Sequence, residues 1–290
     1  MWSANGKGAF LMSAGRIAFV SNDVFMKFLF IDLTVFQAMF LRGLLAVPLI
    51  AAIALYQNSL FVKLSKLDFL VLFLRAGAQV GMASCFLLAL SEMPIANVAA
   101  IMQALPLTLV VVAAVVLGEV VGWRRWLAVI IGMCGVVVII RPGTEAFNAY
   151  GLLAVAAVGF STLNDTITRY LPNRVPALFA ALFTAIVVTV FSGVMSSADL
   201  WPDWELINWP VVGFCAITVA AGYLLQVMTM RQGALSFVAP FRYIGLVWAI
   251  LLGAMIFGEM PDYWTLCGSL IIVSTGLYAL YLDQRDRQST

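Results

Sequence analysis

Ser21-Asn22-Asp23-Val24-Phe25-Met26-Lys27-Phe28-Leu29 places an aspartate and a lysine inside a run that is otherwise apolar. Asp23 and Lys27 are four residues apart, so on a helix they share a face and can pair. A second copy follows at Leu163-Asn164-Asp165-Thr166-Ile167-Thr168-Arg169-Tyr170-Leu171. There Asn164, Asp165, Arg169 and Leu171 answer Asn22, Asp23, Lys27 and Leu29 at a constant offset. Duplicated ionisable groups within lipid point to a function, with transport the first expectation.

The rest of the chain explains why lipid is the setting. Of 290 residues, 63% are hydrophobic and 10% charged, whereas soluble domains carry about 25% charged residues. The mean hydropathy of +1.04 agrees, so the chain reads as an integral membrane protein. Its net charge of +2 gives no basic excess for nucleic acid. Histidine is absent, which removes the usual general base and metal ligand. Cys85, Cys134, Cys215 and Cys267 lie in hydrophobic runs without CxxC spacing; they read as small buried hydrophobes, and no metal or cofactor is expected. Lys7 precedes an apolar stretch that resembles a signal peptide, but Arg16, Asn22 and Asp23 interrupt it, so it is read as the first spanning helix.

A helix needs about 20 apolar residues to cross the hydrocarbon core. The pattern predicts ten such helices, over 8–29, 33–55, 68–91, 95–117, 123–141, 150–171, 175–197, 209–230, 235–257 and 261–282. Almost no extramembrane mass remains, so energy must come from a gradient or a partner. With the N-terminus inside, Lys7, Lys63, Lys66, Arg124, Arg125, Arg169, Arg174, Arg231, Arg285 and Arg287 fall on the inner side, and only Lys27 and Arg141 on the outer. Both termini are therefore expected to be cytoplasmic, in a multi-pass protein of the cell inner (plasma) membrane. Acidic residues gather on the other side, from Asp32 and Glu92 to Glu259 and Asp262.

The chain divides near Arg141-Pro142-Gly143-Thr144-Glu145 into 1–145 and 146–290. Besides the Asn-Asp motif, Leu117-Gly118-Glu119 recurs as Phe257-Gly258-Glu259 between the last two helices of each half. Five being odd, the second copy enters the membrane from the opposite side, which predicts two inverted five-helix repeats. These features resemble the drug/metabolite transporter superfamily, EamA type, over nearly the whole chain. The resemblance implies a substrate cavity between the halves, lined mainly by helices one, three, four, six, eight and nine. It also implies transport of amino acids, other metabolites, or riboflavin-like and S-adenosylmethionine-like compounds.

Charge at the centre of a spanning helix costs about 2.5–3.5 kcal/mol on insertion scales, so it faces a cavity or a partner. Arg16, Asp23, Arg42, Arg75, Asp165 and Arg242 are so placed. Met12, Arg16, Asp23 and Lys27 share one stripe of helix one; Ser161, Asp165 and Thr168 form a polar face on helix six. Asn22, Asp23 and Lys27, with Asn164, Asp165 and Arg169, are candidates for coupling or gating at opposite ends of a pathway. The competing reading makes each pair a helix-end salt bridge, or has Lys27 and Arg169 snorkel. Arg75 and Gln79 on helix three and Arg242 on helix nine suit a carboxylate or phosphate, unless either arginine pairs with Asp23 or Asp165 to fix packing. Gln103, Tyr223, Gln226, Tyr243 and Trp248 complete the expected substrate set, with Asn97, Phe160 and Met230 behind them. Gly77-xxx-Gly81 and Gly118-xxx-Gly122 are expected to allow close helix approach, and Pro106 and Pro240 to kink helices four and nine. Trp201, Trp204, Trp209 and Trp264 read as interfacial anchors.

The reading is a secondary active transporter working by alternating access, moving an amino acid or similar zwitterionic or anionic metabolite. The runner-up is a larger riboflavin-like or S-adenosylmethionine-like solute; a channel or structural subunit is the third alternative. Either a proton or a counter-solute could drive transport, with Asp23 and Asp165 the carboxylates able to carry a proton. Self-association as a homodimer stays open. An enzyme is not expected, since HExxH, GxSxG and histidine itself are missing, and Ser21 has the wrong helical phase to use Lys27.

Overall fold

The computed structural model describes residues 4–60, 62, 64–116, 118, 121–142, 148–172, 174–231 and 239–288. Helices follow one another through short connections: α1 (Ala4–Leu29), α2 (Val35–Tyr56), α3 (Lys66–Glu92), α4 (Ile95–Met102), α5 (Leu105–Val115), α6 (Trp123–Ile140), α7 (Tyr150–Thr168), α8 (Ala177–Met195), α9 (Trp209–Arg231), α10 (Ile244–Phe257) and α11 (Tyr263–Gln288). Two 3-10 turns, Ser196–Ala198 and Ala239–Tyr243, close α8 and lead into α10. There is no strand among the described residues. Among the described residues, nine segments, counting α4 with α5 and the turn before α10 with α10, are long and apolar enough to cross a membrane. The tenth expected span, α1, is not among them, because Lys7, Arg16, Asn22, Asp23 and Lys27 lower its hydropathy. The chain is an all-helical, multi-pass membrane protein.

Local chemistry explains the helix ends. Thr34 accepts the Gln37 N–H at 3.3 Å, and the Gln37 side chain accepts the Thr34 N–H at 3.0 Å, a reciprocal cap that starts α2. Ser65 and Asp68 do the same for α3. The expected span 95–117 is broken, with Gln103 and Ala104 outside both α4 and α5. Pro106 causes this: it lacks an N–H for the carbonyl four residues back and clashes with it, so it sits at the start of α5. Likewise 235–257 is not one helix, since Pro240 lies in the 3-10 turn and α10 begins only at Ile244; residues 232–238 lie outside the described residues. Pro48, by contrast, is held within α2.

The glycines of the two Leu/Phe-Gly-Glu motifs share a backbone state. Gly118 has φ +68° and Gly258 φ +67°, the left-handed region where a side chain is strained. This corrects the reading of Gly118-xxx-Gly122 as a packing face, because a Cβ at either glycine would meet nothing within 4 Å. Close approach occurs elsewhere. A Cβ on Gly135 would lie 2.9 Å from the Gly268 carbonyl oxygen, and one on Gly268 would lie 2.7 Å from that of Gly135, so α6 and α11 touch backbone to backbone. A Cβ on Gly81 would lie 2.8 Å from the Phe160 ring, so that glycine does allow close approach, whereas one on Gly77 would meet nothing within 4 Å. Leu117, Glu119 and residues 143–147 lie outside the described residues.

Packing runs between the two halves of the chain. α1 lies along α9, α3 along α7, α2 along α8, α6 along α11 and α4 along α10. The largest apolar cluster, including Met26, Met39, Leu87, Leu90, Ile95 and Val212, fills the end of the bundle where α1 and α3 finish. Leu45, Leu49, Phe73, Leu74, Ile130 and Val190 are exposed around the outside, as a lipid-facing belt requires.

Candidate functional site

Two groupings of charge stand out, and they differ in how the protein satisfies them. The first lies at the end of the bundle where α1 and α3 finish and α4 starts. Lys27 Nζ pairs with Glu259, donates to the Met93 carbonyl oxygen at 2.8 Å and lies 5.4 Å from the Phe257 ring centroid. The other Glu259 oxygen accepts the Ile95 N–H at 3.0 Å, one of the free donors that begin α4. Lys27 thus does not pair with Asp23. The partner comes from the far half because the side chain, at the end of α1, reaches the turn made by Gly258. More bonds between the halves surround it. Arg141 pairs with Asp262, Thr265 donates to Asn97 at 3.2 Å, and Thr34 donates to Asp199 at 2.7 Å. The Asn148 amide donates to the Glu92 carbonyl at 3.3 Å, and that of Gln37 to the Leu200 carbonyl at 3.1 Å.

Deeper in the bundle, α1 carries Ser21, Asn22 and Asp23. The Asn22 amide donates to Asp23 at 3.0 Å, and Ser21 accepts the Trp248 indole N–H at 3.1 Å. Trp248 is therefore anchored to α1. Arg42 and Arg16 are the charges nearest in effect on Asp23.

The second grouping is built from α1, α3, α7 and the turn before α10. The charges of Arg242, Arg16, Arg75 and Arg169 all act on Asp165. Arg75 is held by three bonds: its Nε donates to Thr168 at 2.9 Å, and its Nη1 to Thr184 at 2.6 Å and to the Ala180 carbonyl at 3.2 Å. Asn164 donates to Gln79 at 2.9 Å and to the Arg75 carbonyl at 3.3 Å. Neither expected pairing of Arg75, with Asp23 or with Asp165, forms; it ties α3 to α7 and α8 through hydroxyls and a carbonyl instead.

Arg16, Arg242 and Asp165 make no hydrogen bond or ion pair among the described residues, and the Arg242 Nε is buried without a partner. Arg16 stands beside the α10 start: a Cβ on Gly245 would lie 3.6 Å from Arg16 Cβ. Arg16 also lines a shallow cleft with Leu11, Met12, Gly15, Phe19 and Gln226. Tyr223 sits edge-on to Phe19, ring centroids 5.5 Å apart. Gln103 is buried at the break between α4 and α5. Tyr243 is buried with its hydroxyl unpartnered, against Gly276. The structure thus brings Arg75, Gln79, Asn164, Asp165 and Arg242 into one neighbourhood and puts Gln226 and Tyr223 beside Arg16. Lys27 belongs to the other grouping; Arg169, past the end of α7, acts on Asp165 from the far end of the bundle. The Met230 side chain lies outside the described residues.

The sequence placed Arg16 among the six charges at the centre of a span and on the helix-one stripe, but not in the expected substrate set. The available signal was that it lacks any acidic residue at i±3 or i±4, so helix one cannot neutralise it.

Comparison with known proteins follows this geometry. The profile described as EamA-like transporter family matches residues 6–141 and 149–281. The S-adenosylmethionine uptake transporter of Rickettsia bellii is 27% identical, with 97% of this chain and 94% of that protein covered. The riboflavin transporter of Brucella anthropi is 26% identical over 72% of this chain and 73% of its own length. The pseudopaline exporter of Pseudomonas aeruginosa is 20% identical over 65% of this chain and 67% of that protein. A solved crystal structure, 19% identical, superposes with a TM-score of 0.62 over 97% of this chain and 96% of its own, and so shares the fold.

Proposed function

Because the chain belongs to the EamA-like transporter family, we propose that it is a secondary transporter that carries a cofactor-like solute of the S-adenosylmethionine or riboflavin class across the cell inner membrane by alternating access. The relatives support that class over the amino acid or similar small metabolite that the intramembrane arginines led us to expect. The observation that supports the reading is the Arg242 guanidinium, whose Nε is buried without a partner inside a membrane bundle. Unpaired buried charge costs several kcal/mol per ion, of order, and persists where a ligand or water-filled path meets it.

The chain is read as two inverted repeats, 1–145 and 146–290. Two separate matches to one family support this, as do helix pairings that map onto themselves when each helix is exchanged for its counterpart: α1 with α9 becomes α7 with α3. Rocking one half on the other then opens each end in turn. In this reading Lys27 and Glu259 close the end that faces outward if both termini are cytoplasmic. Arg169 holds the matching position at the other end, where its expected partner Glu119 lies outside the described residues. Asp23 is retained as the carboxylate able to carry a coupled proton, and Asp165 reads as part of the cargo site.

Counterflow in proteoliposomes tests the function. Vesicles preloaded with unlabelled S-adenosylmethionine or riboflavin should take up labelled solute transiently above its equilibrium level and saturate. Conductance without saturation would support a channel instead. Asp23→Asn should leave counterflow intact while removing any response to an imposed pH gradient; an unchanged response would discard Asp23 as the coupling group.

A further inference from the structure

The duplicated Asn-Asp motif is not used twice in the same way. In the first copy the Asn22 amide donates from Nδ2 to Asp23 Oδ1 at 3.0 Å. An ionised carboxyl dictates that orientation, because the amide oxygen turned toward it would be repelled. In the second copy the Asn164 amide turns away from Asp165. It donates to Gln79 at 2.9 Å and to the Arg75 carbonyl at 3.3 Å, which ties α7 to α3. Both asparagines are buried, Asn22 at 2% exposure and Asn164 at 5%. Burial therefore does not set them apart; the partner does.

The other end of the Asn22 amide sharpens the difference. Its Oδ1 is buried without a hydrogen-bond partner. A buried acceptor that lacks a donor is destabilising, so for packing alone an apolar side chain of the same shape would serve as well. What Asn22 adds is a donor on the carboxylate and a free acceptor next to it. A carboxylate needs a donor and a protonated acid needs an acceptor; an amide turned end for end offers one in place of the other. We infer that Asn22 is the positioning residue for the proton step at Asp23. Its N–H holds the carboxylate in the charged form, and after turning, its Oδ1 accepts the O–H of the acid, while Asn164 packs helices and takes no part. The proton adds to a carboxylate oxygen from water and leaves again to water, so nothing else is consumed. Asp23 keeps part of its surface accessible. Arg42 of α2 and Arg16 of α1 are the charges that act on it. The Cys215 thiol of α9 faces the same place, its Sγ 3.9 Å from the Asn22 carbonyl oxygen, and α10, whose Trp248 bonds Ser21, contains no ionisable residue. Arg75 of α3 and Arg242 of the turn before α10 act on Asp165 instead. This inference rests on the reading of Asp23 as the coupling carboxylate and confines proton handling to the first copy of the motif.

Infrared difference spectroscopy on the purified full chain in lipid vesicles, stepped through pH, tests it. The carbonyl band of a protonated acid that is lost in Asp23→Asn belongs to Asp23, and its growth as pH falls gives a midpoint. Asn22→Leu keeps the shape and strips the polarity. Without the donor the charged form is less favoured, so the midpoint should rise by about one to two pH units, the worth of one hydrogen bond to a charged group. Asn22→Ser, whose hydroxyl can donate or accept, should return part of that shift. Asn164→Leu should leave the midpoint where it is. The same samples enter a thermal-shift assay, with S-adenosylmethionine and riboflavin as probes of binding. The melting temperature should fall more in Asn164→Leu, which loses two bonds to α3, than in Asn22→Leu, which also sheds an unsatisfied acceptor. Should Asn22→Leu fail to fold, Asn22→Ala removes the same amide and should raise the midpoint alike. The pH dependence of labelled S-adenosylmethionine uptake, followed in parallel, should move with the band.

An Asp23 midpoint that stays put or falls in Asn22→Leu overturns the inference, and so does an equal rise in Asn164→Leu. Absence of an Asp23 band across the pH range in which the protein stays folded overturns it too, together with the coupling reading. A band that moves as expected while uptake ignores the pH gradient supports the role of Asn22 at Asp23 and overturns the coupling reading alone. Loss of stabilisation by the probes in Asn22→Leu with an unmoved band would make Asn22 a cargo residue and overturns its role at the proton.

Discussion

The end of the bundle at Lys27 and the interior around Arg242 hold charge in opposite ways. At the first, every charged group named has a partner from the other half of the chain: Lys27 with Glu259, and Arg141 with Asp262. An apolar cluster of Met26, Met39, Leu87 and Leu90 lies beneath them. Deeper in the bundle, Arg16, Arg242 and Asp165 make no hydrogen bond or ion pair among the described residues, and the Arg242 Nε is buried without a partner. A charge that the fold satisfies holds the fold together, whereas a charge that the fold leaves bare awaits something from outside. Arg75 and Arg242 make the contrast within one residue type. Both looked suited to an anion, but Arg75 is a strut with three bonds and Arg242 is open.

That contrast breaks most visibly if the bare charges are removed. Arg242→Gln should cut the initial rate of S-adenosylmethionine uptake at low concentration by about tenfold to a hundredfold. Its melting temperature should hold or rise, because deleting an uncompensated buried charge relieves a desolvation cost. A fall in both would move Arg242 to the structural class. Arg75→Ala is the mirror case, and it should destabilise by about 2–5 kcal/mol because Thr168 and Thr184 lose their shared donor. The protein that survives should bind its probes normally.

Glu259→Gln tests the paired end. Weakening its bond to Lys27 should shift the balance toward opening at that end by about 1–3 kcal/mol. Thiol labelling of Val24→Cys, placed in a background lacking the four native cysteines, should quicken; unchanged labelling would mean the apolar cluster alone keeps the end shut. The smallest effect is expected from Arg174→Gln. Arg174 pairs with Asp68 at 2.7 Å, but its side chain is 58% exposed, and exposed pairs contribute about 0–1 kcal/mol. A shift in denaturation midpoint larger than that would give this pair a role in closing the opposite end.

Much of this architecture was legible in the residues. Segments of membrane-spanning length announce themselves by hydropathy, and Pro106 and Pro240 marked the two places where α4–α5 and the start of α10 depart from a continuous helix. The second Leu/Phe-Gly-Glu turn was visible as a repeat, although the left-handed φ of Gly118 and Gly258 was not. Partner choice was hidden. Asp23 is the obvious local partner of Lys27, yet Glu259, 232 residues away, takes it. Local spacing ranks neighbours along a helix and says nothing of neighbours across a bundle. The close contact of Gly135 with Gly268 escaped for the same reason, since it joins glycines from two helices without the four-residue spacing that marks such faces. Arg16 was read as a membrane-centre charge but left out of the expected substrate set, because spacing along one helix does not show which neighbours fail to meet it.

The account turns on the paired end opening during each transport cycle. The direct measurement replaces Lys27 and Glu259 with cysteines in the cysteine-free background, joins them with a cleavable thiol cross-linker and follows counterflow of labelled S-adenosylmethionine. Cross-linking should stop counterflow, leave stabilisation by the solute intact in the thermal-shift assay, and be reversed when the linker is cleaved. Full-rate counterflow in the cross-linked protein would contradict the account.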